Sequence, residues 1–185
     1  MNLFIVKKVW GYVRWPLTIF IIVFIVFIAW RVQVLNDREA TAEAVAAIRA
    51  NKLTWADING DLPAEPDVAT NNSTLVGVDS NQNGIRDDVE RAIYNKYKST
   101  PKVAIAMLQY AKALQMEFTH VMNSETFVAV IQQEGRGYGC ADNHQEETEN
   151  LVFNTSERKE YGEEVRRKYM TSYALLNTKD CDILL

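Results

Sequence analysis

Polar and apolar positions divide this chain into a long uninterrupted apolar run followed by shorter amphipathic stretches. Leu17 to Ala29 is apolar except for Thr18. Trp10, Tyr12 and Trp15 flank the run on one side and Trp30 on the other, the arrangement of an interfacial aromatic belt. Tyr12 to Trp30 makes about 28 Å of helix at 1.5 Å per residue, close to a hydrocarbon core of about 30 Å. The pattern predicts a transmembrane anchor over 15–35 behind a short cytoplasmic N-terminus, 1–14. Asn36 to Leu53 reads as helix with a thin apolar face (Ala44, Val45, Ile48, Leu53), either capped by Asn36 with Glu39 or continuing the membrane helix. We assign 36–53 as a stalk and 54–78 as an extended connector, because Asp61-Leu-Pro-Ala-Glu-Pro-Asp67 bears two prolines.

From Asp88 onward the apolar period is helical. Val89, Ile93 and Tyr97 mark one helix. Val103, Met107, Ala111, Leu114, Phe118 and Val121 mark a second, entered through Ser99-Thr-Pro101. Ser124 is the expected cap of a third, with Phe127, Val128 and Ile131 inside. Gly135-Arg-Gly-Tyr-Gly139 reads as a break; no strand precedes it and no Gly-Lys-Ser/Thr follows, so a flexible turn is favoured over a phosphate loop. Cys140 to Val152 is an acidic helix. Tyr161, Val165, Tyr169, Tyr173 and Leu176 continue a long final one. The expected fold class is all-α: a single-pass transmembrane helix followed by a small helical domain, 79–185, with one calcium loop.

That loop is the most specific motif. Asp79-Ser-Asn-Gln-Asn-Gly-Ile-Arg-Asp-Asp-Val-Glu90 places oxygen-bearing side chains at positions 1, 3, 5, 9 and 12 and a glycine at position 6, the order in which a twelve-residue loop surrounds a calcium ion. Asp79, Asn81 and Asn83 alternate, Gly84 permits the sharp turn, Ile85 offers its carbonyl, Asp87 binds directly or through water, and Glu90 closes the shell with two oxygens. These twelve residues and the helix after them resemble EF-hand-like loops, including the single-sided kind of dockerin and thrombospondin type 3 repeats; the chain also resembles uncharacterised membrane-anchored bacterial envelope proteins. Three departures bear on the resemblance. Arg86 occupies position 8, where paired hands carry an apolar residue; 71–78 lacks a helical period; and Asp57-Ile-Asn-Gly-Asp61 has related residues at the wrong spacing for a second loop. A paired opening switch is therefore not expected. With two neutral Asn among the ligands, the affinity expected is roughly 10⁻⁴–10⁻³ M.

Charge and cysteine usage place the domain. Removing Lys7, Lys8 and Arg14 from the 20 basic residues leaves 17 against 24 acidic ones, a net −7. Such a remainder does not suit nucleic acid. Positive charge before the apolar run predicts an inner-membrane protein with its N-terminus in the cytoplasm and its domain in the periplasm. A cleaved signal peptide also begins with basic residues and a short apolar core, but the first Ala-x-Ala pattern, Ala40-Thr-Ala42, falls about ten residues beyond the core, which favours an uncleaved anchor. Cys140 and Cys181 are expected to pair if the compartment is oxidising. Cys140 and His144 share a helical spacing, yet His120 lies on another helix and the cysteine partner competes, so zinc is disfavoured. The sequence leaves two functional readings: a non-catalytic calcium-binding domain that engages an envelope protein, or an extracytoplasmic enzyme of unknown class with calcium as a structural ion.

Overall fold

The computed structural model describes residues 3–59, 61–170 and 180–183, with backbone alone for 3–13 and 59. It is helical throughout, with no strand among the described residues. Two compact units divide the chain at Glu43/Ala44.

The first unit is the greater part of α1 (Leu3–Ala50). From Arg14 on it is long and apolar enough to cross a membrane, and Ile19 to Ile28 expose every side chain. Exposed apolar surface on this scale is compatible with a membrane-spanning segment. Pro16 lies inside the helix, and the Thr18 hydroxyl returns to the Arg14 carbonyl at 2.8 Å. No break separates the apolar run from 36–50.

The second unit takes in the last turns of α1, then α2 (Trp55–Asn59), α3 (Val68–Asn71), α4 (Asp87–Tyr97), α5 (Pro101–Thr119), α6 (Ser124–Ala141), a 3-10 turn (Asp142–His144), α7 (Gln145–Val152) and α8 (Ser156–Tyr169). The thin apolar face of 44–53 is buried here. Ile48 packs with Met116, Ala129 and Val130, and Leu53 joins the main core with Ile85, Val89, Ile93, Met107 and Leu114. The central element is α5, buried almost continuously from Ala104 to Glu117. Its polar members are held: Lys112 Nζ donates to the Lys52 carbonyl and to Asp57, and Gln109 bonds main-chain groups of Asp180 and Asp182.

Four expectations change. The cap of α6 is Asn123, whose side chain accepts from the Glu125 and Thr126 amides, rather than Ser124. On that helix Ala129 and Val130 are fully buried while Val128 and Ile131 are half-buried, because the inward face is shared between α5 and the end of α1. The Gly135–Gly139 segment is not a break but helix. A Cβ on Gly137 would meet Tyr110 Cα at 2.7 Å, so this glycine lets α6 approach the α5 backbone. The final helix ends at Tyr169; Tyr173 and Leu176 lie outside the described residues.

Cys140 at the end of α6 is bonded to Cys181, with Cα atoms 5.6 Å apart. Around it the C-terminal strap is stitched down: the Leu53 amide donates to Asp182, Arg136 pairs with Asp180 and Asp182, and Ile183 packs on the core.

Candidate metal centre

Within the loop from Asp79 to Glu90, hydrogen bonds tie Asp79 and Asn81 to Asn83, and Glu90 to both asparagines. Gly84 has φ +83°, the left-handed conformation in which glycine carries no steric cost. Asp79 turns back over the loop and accepts from the Asn83 amide at 3.2 Å and the Gly84 amide at 2.8 Å. Asn81 accepts from the Asn83 amide and Asn83 from the Ile85 amide. Ile85 sends its side chain into the core. Its main chain stays in the loop. Asp87 begins α4 and accepts from the Ser80 amide and hydroxyl at 3.0 and 2.8 Å. Glu90, one turn on, accepts from the side-chain amides of Asn81 and Asn83 at 3.2 and 3.1 Å.

The electrostatics follow from this convergence. Burial raises the Glu90 carboxyl above its ordinary value, and the charges of Asp87 and Asp79 push it further. Burial likewise raises Asp79, with Asp87 adding repulsion against the amides that hold its charged form. Three carboxyl groups thus lie in one another's field, and the loop's own cation, Arg86, is engaged elsewhere, with Asp88 and the end of α7. No group of three or more His, Cys, Asp or Glu among the described residues forms a ready-made metal cluster. The donor set nevertheless suits a hard cation: carboxylates, amide carbonyls and main chain, all oxygen. In this arrangement the Asn81 and Asn83 nitrogens face Glu90, so oxygen ligation by these two residues requires their amides to turn.

The loop is anchored from three sides by cations. Arg86 is fully buried. It pairs with Asp88 and donates to the Leu151 and Val152 carbonyls at 2.8 and 3.1 Å. Those are orphan carbonyls at the end of α7, where a cation also suits the helix dipole. Gly77, at φ +73°, leaves the space that the Arg86 stem fills. Arg158, also buried, donates to the Asn71, Thr74 and Leu75 carbonyls and to the side chains of Asn72 and Asn154. The Lys112 stem passes beneath Gly84 on its way to Asp57. Sequence reasoning found the loop but not these anchors. The one signal was Arg86 itself, a cation where a paired loop carries an apolar residue.

A groove of about 250 Å³ lies on the other side of Glu90, lined chiefly by Ile58, Leu62, Tyr94, Ile105 and Leu108. The carboxylates on its wall are engaged: Asp57 with Lys112 and the Thr54 amide, Glu90 with the two asparagines. Asn71 and Asn154 use their side chains structurally, Asn71 accepting from the Val78 amide and Asn154 bonding Asp88 and Arg158.

The chain was compared with family models, curated proteins and solved structures, and none of the three matches it.

Proposed function

We propose that the protein is a membrane-anchored, extracytoplasmic calcium-binding protein without catalytic activity, whose domain engages another envelope protein. What supports the calcium reading is a loop that turns at a left-handed Gly84 and brings Glu90 against Asn81 and Asn83, with Asp79 and Asp87 in its field. Asp79, Asn81, Asn83, the Ile85 carbonyl, Asp87 and Glu90 would hold the ion. Bound there, calcium supplies the positive charge that offsets the mutual repulsion of the three carboxylates. The chain's own part is to keep the ligands at the start of α4, with Arg86, Arg158 and Lys112 fixing the loop. Anchors of this kind suit a structural staple rather than an opening switch.

The location draws on two features. Lys7, Lys8 and Arg14 precede the apolar helix, which orients an inner-membrane span with its N-terminus in the cytoplasm and the domain in the periplasm. The Cys140–Cys181 bond belongs to an oxidising compartment.

Calorimetric titration of the full chain in detergent micelles tests the metal. Calcium should bind in a single-site isotherm and stabilise the domain by about 2.7 kcal/mol at a hundredfold excess over Kd. Magnesium should do less, since it sheds water reluctantly. No calcium heat together with unchanged melting would leave the loop as a polar turn before a helix.

A further inference from the structure

Away from the loop, α5, α6, α7 and α8 enclose a second charged group that calcium does not explain. Glu117 of α5 is fully buried and Glu134 of α6 is 9% exposed. The two carboxyl groups are near enough for the Glu117 charge to act on Glu134. Arg166 of α8 donates to Glu117 Oε1 from Nε at 2.9 Å and from Nη2 at 2.6 Å. Glu117 Oε2 and Glu134 Oε1 are both buried without an N–H or O–H donor. Gly162 of α8 keeps this space open, since a Cβ there would lie 3.2 Å from Glu117 Oε2. Tyr110 of α5 faces the same group but donates to Glu149 of α7 at 2.6 Å.

Ionised carboxylates only accept hydrogen bonds. Two neighbouring buried carboxylates with no donor between them repel unless one carries a proton, and one guanidinium cannot neutralise two buried charges. The Arg166 fork places the negative charge on Glu117, which leaves the proton to Glu134. We propose that Glu117 and Glu134 share one proton, and that this proton together with Arg166 locks α6 and α8 onto α5, so that its loss loosens the α5–α6 packing. Burial and then the Glu117 charge hold the Glu134 carboxyl well above the carboxylate range; Glu149 acts in the same direction and Arg166 opposes.

The sign follows from linkage. Glu134 holds its proton more tightly folded than unfolded. Folding is therefore favoured fully below the ordinary Glu value of about 4.3. The equilibrium constant falls, by up to tenfold per pH unit, as pH rises from there to the folded value of Glu134.

The test uses the full chain in lipid nanodiscs. Infrared spectra at pH 7 in water and deuterium oxide should show a protonated-carboxyl band that disappears in Glu134→Gln and persists in Glu149→Gln. Glu134→Gln keeps a donor toward Glu117 and should fold. Denaturant titrations at several pH values should show a steeper pH slope in the wild type than in this variant; Asp79 and Glu90 titrate alike in both and cancel. A wild-type spectrum without the band, a band that survives Glu134→Gln, or equal slopes would each overturn the proposal.

Discussion

The Arg86 guanidinium reaches across 66 residues to donate to the Val152 carbonyl at 3.1 Å. With the Leu151 carbonyl and Asp88 as its other partners, one side chain joins the start of α4 to the end of α7. Arg86→Lys should destabilise the domain by about 2 kcal/mol, because a point-charge donor cannot reproduce the fork and a buried carbonyl loses its partner. Denaturant unfolding with amide exchange on α4 and α7 checks this; protection unchanged in both helices would contradict it.

Asp88 and Glu90 should separate the roles of charge in the loop region. Glu90→Gln removes the closing ligand and should abolish most of the calcium-dependent rise in melting temperature. Asp88→Asn should leave that rise intact while lowering stability by about 1–2 kcal/mol with and without calcium, because it removes the carboxylate partner of buried Arg86. Melting curves of the two variants with calcium and with chelator distinguish the cases. A calcium increment lost in both would show that Asp88 belongs to the ion's surroundings.

Reduction of Cys140–Cys181 should cost about 3–4 kcal/mol, the chain-entropy value for a closed loop of roughly 40 residues. The specific readout is the Leu53 amide, whose acceptor is Asp182. Its exchange should accelerate on reduction more than that of buried α5 amides.

Gly137→Ala should destabilise by about 1–3 kcal/mol. The added methyl meets Tyr110 main chain, which cannot rotate away. Gly139→Ala, two residues on and half-buried, is the control and should cost less.

His120 should set an acid limb on the stability curve. Burial lowers its imidazole below the ordinary value. A folded value depressed below the unfolded one gives stability that is complete above the unfolded value of about 6.5 and is lost as pH falls through the folded one. His120→Gln should flatten the curve between about pH 7 and 5, measured by denaturant midpoints.

Elements whose burial repeats along one helix were legible in the chain. The apolar run of α1, the Val89–Ile93 face of α4 and the Met107–Leu114 face of α5 follow a period that survives any tertiary arrangement. What was not legible depends on partners distant in sequence. Gly137 reads as a helix breaker until Tyr110 is placed against it. Ser124 and Asn123 are both cap residues, and only the register of α6 chooses between them. The partners of Arg86, Arg158 and Glu134 were hidden because nothing local reveals carbonyls 60–90 residues away, or a second carboxyl on a neighbouring helix.

The Leu53–Asp182 hydrogen bond gives the domain a mechanical character. The chain leaves α1 at Ala50 and is clasped three residues later by its own C-terminal strap, itself welded to α6 through Cys140. Tension arriving along α1 is met first where Ile48 packs on Met116, Ala129 and Val130 and next at this clasp, and the covalent bond limits how far the strap can give. Rupture under load should proceed in two steps, a small yield at Leu53 and a later, larger extension as the helices separate. In the reduced protein the two should merge.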